Sequence, residues 1–267
     1  MELKSLHEPL RPIAEEASEL ILERYRSGNF KTEDKSDDTP VTSADKEASE
    51  FITRKLKQLT PDIPVLSEEA IVPWPERRQW ERYWLVDPLD GTQEFINGSG
   101  DFAVVIAYVE RHQPVFGMIN WPTEQALYWA SQGHGAWRQY QGRTEKLQVR
   151  QLQQPQSDPL TIAVSRRQPE ERVLSRIHSS REVKIVHTGS CALKSCLVAE
   201  GNADVFMRVG PTGEWDTGAA QILVEEAGGQ LLGHDFRPIT YNMTPSVENP
   251  DFIVLGDPRV DWISVFR

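Results

Sequence analysis

A chain of 267 residues with 39% hydrophobic and 26% charged residues, eight Trp and nine Phe holds enough apolar material for a core and is not a disordered segment. Its formal charge of −11 sets the average surface field against a nucleic-acid polymer, yet leaves room for a small anion where amides and cations reverse the local sign. The two cysteines, Cys191 and Cys196, stand five apart without a CxxC or His partner pattern, so neither a disulfide framework nor a zinc site is supported and both read as buried free thiols.

Charges at Glu15, Glu16 and Glu19 interrupt the first segment and exclude the apolar core of a signal peptide. No apolar run approaches the length of a bilayer span. Leu6, Leu10, Ile13, Ala14, Ala17, Leu20, Ile21 and Tyr25 recur at three- and four-residue spacing, which predicts an amphipathic helix with one buried face. A mobile polar loop is expected over Lys31–Thr39, then a second helix from Thr42 to Leu59, closed by Pro61. Strands are predicted at Val65–Ser67, Tyr83–Asp87, Phe102–Val109, Pro114–Asn120 and Ala126–Ala130, forming one antiparallel-rich sheet. The aperiodic Gln151–Pro159 stretch marks a lobe boundary, giving an N-terminal lobe over 1–155 and a C-terminal α/β lobe over 156–267 that together complete one functional unit. In the second lobe, strands are predicted at Leu160–Ser165 and Val183–His187, and helices at Cys191–Glu200 and Thr217–Ala227, ended by Gly201 and Gly228.

The most informative segment is Trp84–Phe95, WLVDPLDGTQEF. An apolar strand delivers Asp87 and Asp90 around a proline, so both carboxylates and the Leu89 carbonyl can offer oxygen to one small region, the donor set of a hard cation. Gly91 and Thr92 then open a helix whose first amides are free to meet a phosphate. DxxDGT alone reads slightly better as an ordinary tight turn. Further acidic elements shift the balance: VLSEE places Glu68 at another strand end, EWDT places Asp216 at a helix start, and PVTSAD gives Thr42 and Asp45 the spacing of a capping box. Each has a structural alternative: a solvated loop for Glu68, an N-cap for Asp216 and capping alone for Asp45.

Taken together and in this order, the four segments resemble the lithium-sensitive, magnesium-dependent phosphatase superfamily of the inositol monophosphatases. Within it, DPLDGTQEF with Glu94, CLVAEGNADVF and GPTGEWDTGAA are most similar to the CysQ-type 3'(2'),5'-bisphosphate nucleotidases, and the likeness runs from about Ala14 to Leu255. It implies a layered αβαβα sandwich of the α/β (α+β) class. It implies two or more Mg2+ ions per site, held by Glu68, Asp87, the Leu89 carbonyl, Asp90 and Asp216. Asp45, Glu68 and Thr92 would be catalytic, Asp45 and Thr92 serving the nucleophilic water. The substrate would meet Glu68, Leu89, Asp90, Gly91, Thr92 and Asp216, with Ser190, Lys194 and Glu214 in bordering stretches. Arg208, followed by Gly210-Pro211, is a candidate cation for a second phosphate.

The implied reaction is removal of the 3'-phosphate of 3'-phosphoadenosine 5'-phosphate, giving AMP and phosphate. Alternatives are an inositol monophosphatase or related sugar phosphatase, whose length the Gly189–Cys196 segment shares, and a silent nucleotide-binding module. The expected partner is a small-molecule phosphate and no nucleic-acid polymer, with a homodimer as one assembly. The expected location is the cytoplasm, with peripheral attachment at the cytoplasmic face of an inner membrane left open.

Overall fold

The computed structural model describes residues 2–34 and 40–266. α1 (His7–Ser27) buries Leu10, Ile13, Ala14, Ala17 and Ile21 and stops at Gly28, whose φ of 65° favours a residue without Cβ. Within the loop expected over Lys31–Thr39, β1 (Thr32–Asp34) pairs antiparallel with β2 (Pro40–Thr42), and residues 35–39 lie outside the described residues. α2 (Ser43–Leu59) starts at the predicted capping box: Thr42 caps Ala44 N, and the Asp45 side chain accepts the Thr42 amide.

The chain then runs through β3 (Val65–Ser67), the short α3 (Trp74–Arg77), β4 (Arg82–Asp90), α4 (Thr92–Ile96), β5 (Ala103–Glu110), β6 (Gln113–Trp121), β7 (Ala126–Ser131), β8 (Gly135–Tyr140) and β9 (Arg143–Lys146). β3 to β9 make a seven-stranded sheet in sequence order, antiparallel except for the β3–β4 pair. All five strands predicted in this half are present, and β8 and β9 extend the sheet beyond them. Those two carry polar, largely unburied residues such as Arg138, Gln139, Arg143 and Glu145, so no apolar alternation betrays them.

Beyond the Gln151–Pro159 stretch come β10 (Leu160–Ser165), α5 (Glu171–Leu174), β11 (Val183–Thr188), α6 (Cys191–Ala199), β12 (Val205–Arg208), α7 (Glu214–Glu226), β13 (Gln230–Gly233), β14 (Phe252–Leu255) and α8 (Trp262–Phe266). A second, five-stranded sheet has the order β11-β10-β12-β14-β13, its first three strands parallel.

Three apolar clusters define the layers. α1 and α2 cover one face of the first sheet through Leu10, Ile21, Ile52, Trp84 and Phe116. α6 and α7 lie between the sheets, with Leu193, Leu223, Leu85, Val105, Phe206 and Val254 in one shared cluster. α5 and α8 close the far face of the second sheet through Val173, Trp262 and Phe266. The result is the αβαβα sandwich that the sequence resemblance implies. α7 can lie close on the first sheet because Gly117 has no side chain: a Cβ there would stand 2.7 Å from the Cα and carbonyl oxygen of Ala219.

Candidate active site

The Asp87-Pro88-Leu89-Asp90 stretch closes β4 with an irregular register against β5 between Asp87 and Asp90. That local departure turns the two aspartates toward one region instead of leaving them on a regular ladder. Asp87 Oδ1 accepts the Leu89 amide at 3.0 Å. Gly91 follows with φ 97°, and a Cβ on it would meet the Asp101 carbonyl at 2.8 Å, so backbone conformation and space both require glycine. Its carbonyl starts α4 by accepting the Glu94 and Phe95 amides. The Gly91 and Thr92 amides have no hydrogen-bond partner among the described residues.

Asp216 comes from the other side. It stands in the first turn of α7, where Oδ2 accepts the Gly213 amide at 2.6 Å in a capping arrangement. α7 therefore begins at Glu214, three residues before the predicted start, and Asp216 is its third residue. One carboxylate oxygen from each of Asp87, Asp90 and Asp216 lies within 4.8 Å of the others. Glu68, at the end of β3, hydrogen-bonds Asp87. Burial first, then Glu68, Asp90 and Asp216, raises the Asp87 pKa well above the ordinary carboxylate range. Burial, then Asp90 and Glu68, does the same to Asp216. Clustered carboxylates at this density repel one another unless cations sit among them, and an all-oxygen donor set suits a hard divalent ion.

Asp90 is bonded from the far side by the start of α6. Its carboxylate accepts the Ser190 hydroxyl, the Cys191 amide at 3.1 Å and the Ala192 amide at 2.6 Å. The N-terminus of α6 thus grips Asp90, and Ser190 also caps that helix by accepting the Leu193 amide.

Asp45 and Thr92, 47 residues apart, meet. The Thr92 hydroxyl lies 2.8 Å from Asp45 Oδ1 and 3.2 Å from the Leu89 carbonyl. The other oxygen of Asp45 is taken by the Thr42 amide at 2.8 Å and the Thr42 hydroxyl at 2.5 Å. Burial pushes the Asp45 pKa up, against the hydrogen bonds from Thr42 and Thr92.

Residues 2–251 match the inositol monophosphatase family. The chain belongs to that family. It is 43% identical over 234 residues to the 3'(2'),5'-bisphosphate nucleotidase CysQ of Aggregatibacter actinomycetemcomitans, covering 87% of this chain and 86% of that protein. The CysQ of the same description from Haemophilus influenzae is 40% identical, covering 92% of this chain and 91% of its own length. Among solved structures, CysQ from Bacteroides thetaiotaomicron, a bacterial member of the family, superposes with a TM-score of 0.81 at 33% identity, over 96% of this chain and 98% of that one.

The remaining residues singled out in this family member sit around the acidic cluster in different ways. Lys194 is buried: its ammonium donates to the Gly189 carbonyl at 3.1 Å and to the Ser190 carbonyl, and lies 5.0 Å from the centre of the Phe206 ring. Glu214 is buried too, with its carboxylate accepting the Asn242 amide at 2.8 and 2.9 Å. Burial outweighs that bond and the nearby Arg77 and pushes its pKa up to about 7. Glu214 lines a cavity of about 650 Å³ together with His234, Arg237, Thr240, Thr244 and Asp251. A larger groove of about 1280 Å³ lies beside α1, lined by Glu15, Glu16, Glu19 and Glu23 and by none of Glu68, Asp87, Asp90 and Asp216.

Arg77 carries no signal in the sequence, standing beside Arg78 in WPERRQW. It is 1% exposed, donates to Asn242 Oδ1 at 2.6 Å and to the Thr244 and Pro245 carbonyls at 3.1 and 2.5 Å, and so fixes the backbone that holds Glu214. Arg208 donates from Nη2 to the Pro211 carbonyl at 3.0 Å. Among the described residues, no helix is long and apolar enough to cross a membrane.

Proposed function

We propose that the protein is a magnesium-dependent phosphomonoester hydrolase that removes the 3'-phosphate of 3'-phosphoadenosine 5'-phosphate, releasing AMP and phosphate. The observation that carries this reading is the convergence of Asp87, Asp90 and Asp216 within 4.8 Å, with Glu68 beside them and the Thr92–Asp45 pair at their edge. The substrate follows from the nucleotidases this chain is similar to over most of its length.

Glu68, Asp87, the Leu89 carbonyl, Asp90 and Asp216 would hold the divalent cations. When bound, such ions neutralise the charge spread over the phosphoryl oxygens and acidify water. This chain's own residues do the rest. Both Thr42 bonds occupy Asp45 Oδ2, so Oδ1 alone faces Thr92. With its proton given to Asp45, the Thr92 hydroxyl has lone pairs left to accept a proton from the attacking water, and the buried Asp45 is raised in proton affinity, which suits the terminus of that relay. The Gly91 and Thr92 amides, free of protein partners, donate to a phosphate oxygen.

Ser190 acts through Asp90, which its hydroxyl holds, and Lys194 through the carbonyls of the same loop. Glu214, held by the Asn242 amide, is assigned to the border of the substrate by the family resemblance. The lobes 1–155 and 156–267 work as one unit because Asp216 of the second completes the carboxylate set of the first. Cys191 and Cys196, both free and buried, fit a reducing compartment such as the cytoplasm.

Phosphate release from 3'-phosphoadenosine 5'-phosphate and from inositol 1-phosphate, at matched concentrations with Mg2+ and again with EDTA, tests the reading. Metal-dependent preference for the nucleotide is expected. Preference for the inositol ester would replace the substrate, and activity that survives EDTA would remove the metal from the reaction.

A further inference from the structure

Glu214 is the first residue of α7, and among the described residues its buried carboxylate accepts from a single group, the Asn242 amide, on both oxygens. Where Asn242 stands therefore decides where that carboxylate points. Asn242 is 1% exposed and has a φ of 52°, in the left-handed region that asparagine enters more readily than most residues. Its side chain meets Arg77 twice: Oδ1 accepts from Nη1 at 2.6 Å, and Nδ2 donates to the Arg77 carbonyl at 2.6 Å.

The Arg77 guanidinium reaches beyond Asn242. Nε donates to the Val72 carbonyl at 3.2 Å, in the β3–β4 connection that starts at Glu68. Nη1 and Nη2 donate to the Thr244 and Pro245 carbonyls in the β13–β14 connection, and the Trp74 ring lies against the group, 4.9 Å from its centre. One side chain joins the segment that follows Glu68, on the first sheet, to the segment that holds Glu214, on the second. Thr244 also lines the cavity of about 650 Å³ that Glu214 faces.

All four acceptors of Arg77 are uncharged. They satisfy its donors and leave its charge, and a buried charge is costly until a counter-charge meets it. A joint that served stability alone would be built as well from apolar side chains. Glu214 supplies the counter-charge from across Asn242. Burial disfavours its charged form, and the Asn242 amide and Arg77 favour it.

We propose that Arg77 is a positioning residue for the substrate: through Asn242 it fixes Glu214 at the substrate border, and through Val72 it holds that border in place relative to the Glu68 segment. This rests on the nucleotidase reading above, in which Glu214 borders the substrate.

The test is a double-mutant cycle with 3'-phosphoadenosine 5'-phosphate and Mg2+, reading kcat and KM separately for wild type, Arg77→Lys, Glu214→Gln and the double variant. Lysine keeps the charge and loses the planar fork. Arg77→Lys should raise KM roughly 10-fold, as expected for one misplaced charge-assisted contact, with kcat within about threefold of wild type. Glu214→Gln should raise KM at least as much. The double variant should be no worse than Glu214→Gln, because Arg77 acts through a carboxylate already removed. Asn242→Gly keeps the positive φ and the amide but deletes the Oδ1 bond; it should raise KM in the same way, and it completes the cycle if Arg77→Lys fails to fold. Losses that multiply in the cycle, an unchanged KM in Glu214→Gln, or a fall in kcat at constant KM would overturn the proposal while leaving the nucleotidase reading intact. A wild-type enzyme that does not hydrolyse the nucleotide would sink that reading, and the proposal with it.

Discussion

Asp87→Asn separates the two states of the acidic cluster. Asp87 is 2% exposed and shares a space under 4.8 Å across with Asp90 and Asp216, with Glu68 hydrogen-bonded to it. At an effective dielectric of about 20, two charges at that separation repel by roughly 3 kcal/mol. Proton uptake by the cluster relieves most of this, so removing one charge should stabilise the metal-free protein by about 1–2 kcal/mol, or about 3–6 °C in Tm for a chain of this size. Asparagine keeps an acceptor for the Leu89 amide, so no bond is lost in exchange. With Mg2+ the order reverses: wild type gains about 2.7 kcal/mol at a hundredfold excess over Kd, and the variant loses most of that gain. Thermal melts of both proteins in EDTA and in Mg2+ should therefore cross, and turnover should collapse in the variant. A variant that melts below wild type in EDTA refutes the repulsion argument, and one that keeps the full Mg2+ shift removes Asp87 from the metal site.

Three further outcomes follow from separate features. Thr92→Val, which keeps the shape of the residue and deletes its hydroxyl bond to Asp45, should lower kcat by about 10²-fold or more with little change in KM, while Thr92→Ser should keep much of the rate. Gly117→Ala places a methyl 2.7 Å from the Ala219 backbone and should cost about 1–3 kcal/mol in urea unfolding by pushing α7 off the first sheet. The Asp257 carboxylate, fully buried and paired with Arg259 and the Leu152 amide, is lowered from 3.8 to about 2. A depressed carboxylate contributes its stability above pH 3.8 and loses it as pH falls through 2, about 2 kcal/mol in all. Asp257→Asn should lose that amount at pH 7 and show a flatter acid-unfolding slope between pH 4 and 2.

What was legible in the sequence is what is local. The capping box of Thr42 and Asp45 spans three residues and could be read directly, as could the apolar strand that runs into Asp87 and Asp90. The Thr92–Asp45 contact joins positions 47 residues apart and needed the packing of α2 against β4 to exist. The start of α7 was misplaced because Asp216 looks like an N-cap, when Gly213 occupies that position and Asp216 returns a bond to its amide from within the first turn. Lys194 drew attention as a lone cation in an apolar helix. α6 is buried nearly all round, and there the ammonium finds the Gly189 and Ser190 carbonyls one turn back, a contact that reads the same in sequence as a cation aimed at substrate.

The two halves of the site are built on different kinds of structure. Asp87, Asp90 and Glu68 stand at strand ends within one sheet, in ordered, mostly buried positions, and Asp90 is clamped by three donors from α6. Small displacements of these groups would be costly, so the carboxylate set tolerates little change. Arg166 and Arg167 sit on the loop after β10, and Arg208 is the last residue of β12, with side-chain bonds to Asp101, Glu94 and the Pro211 carbonyl respectively. Substitutions there alter charge and reach without disturbing a core. Variation of the β10 loop in this chain, assayed over several phosphate esters with Mg2+, should then move KM values far more than kcat; a uniform loss of kcat would mean that the loop supports the metal centre itself.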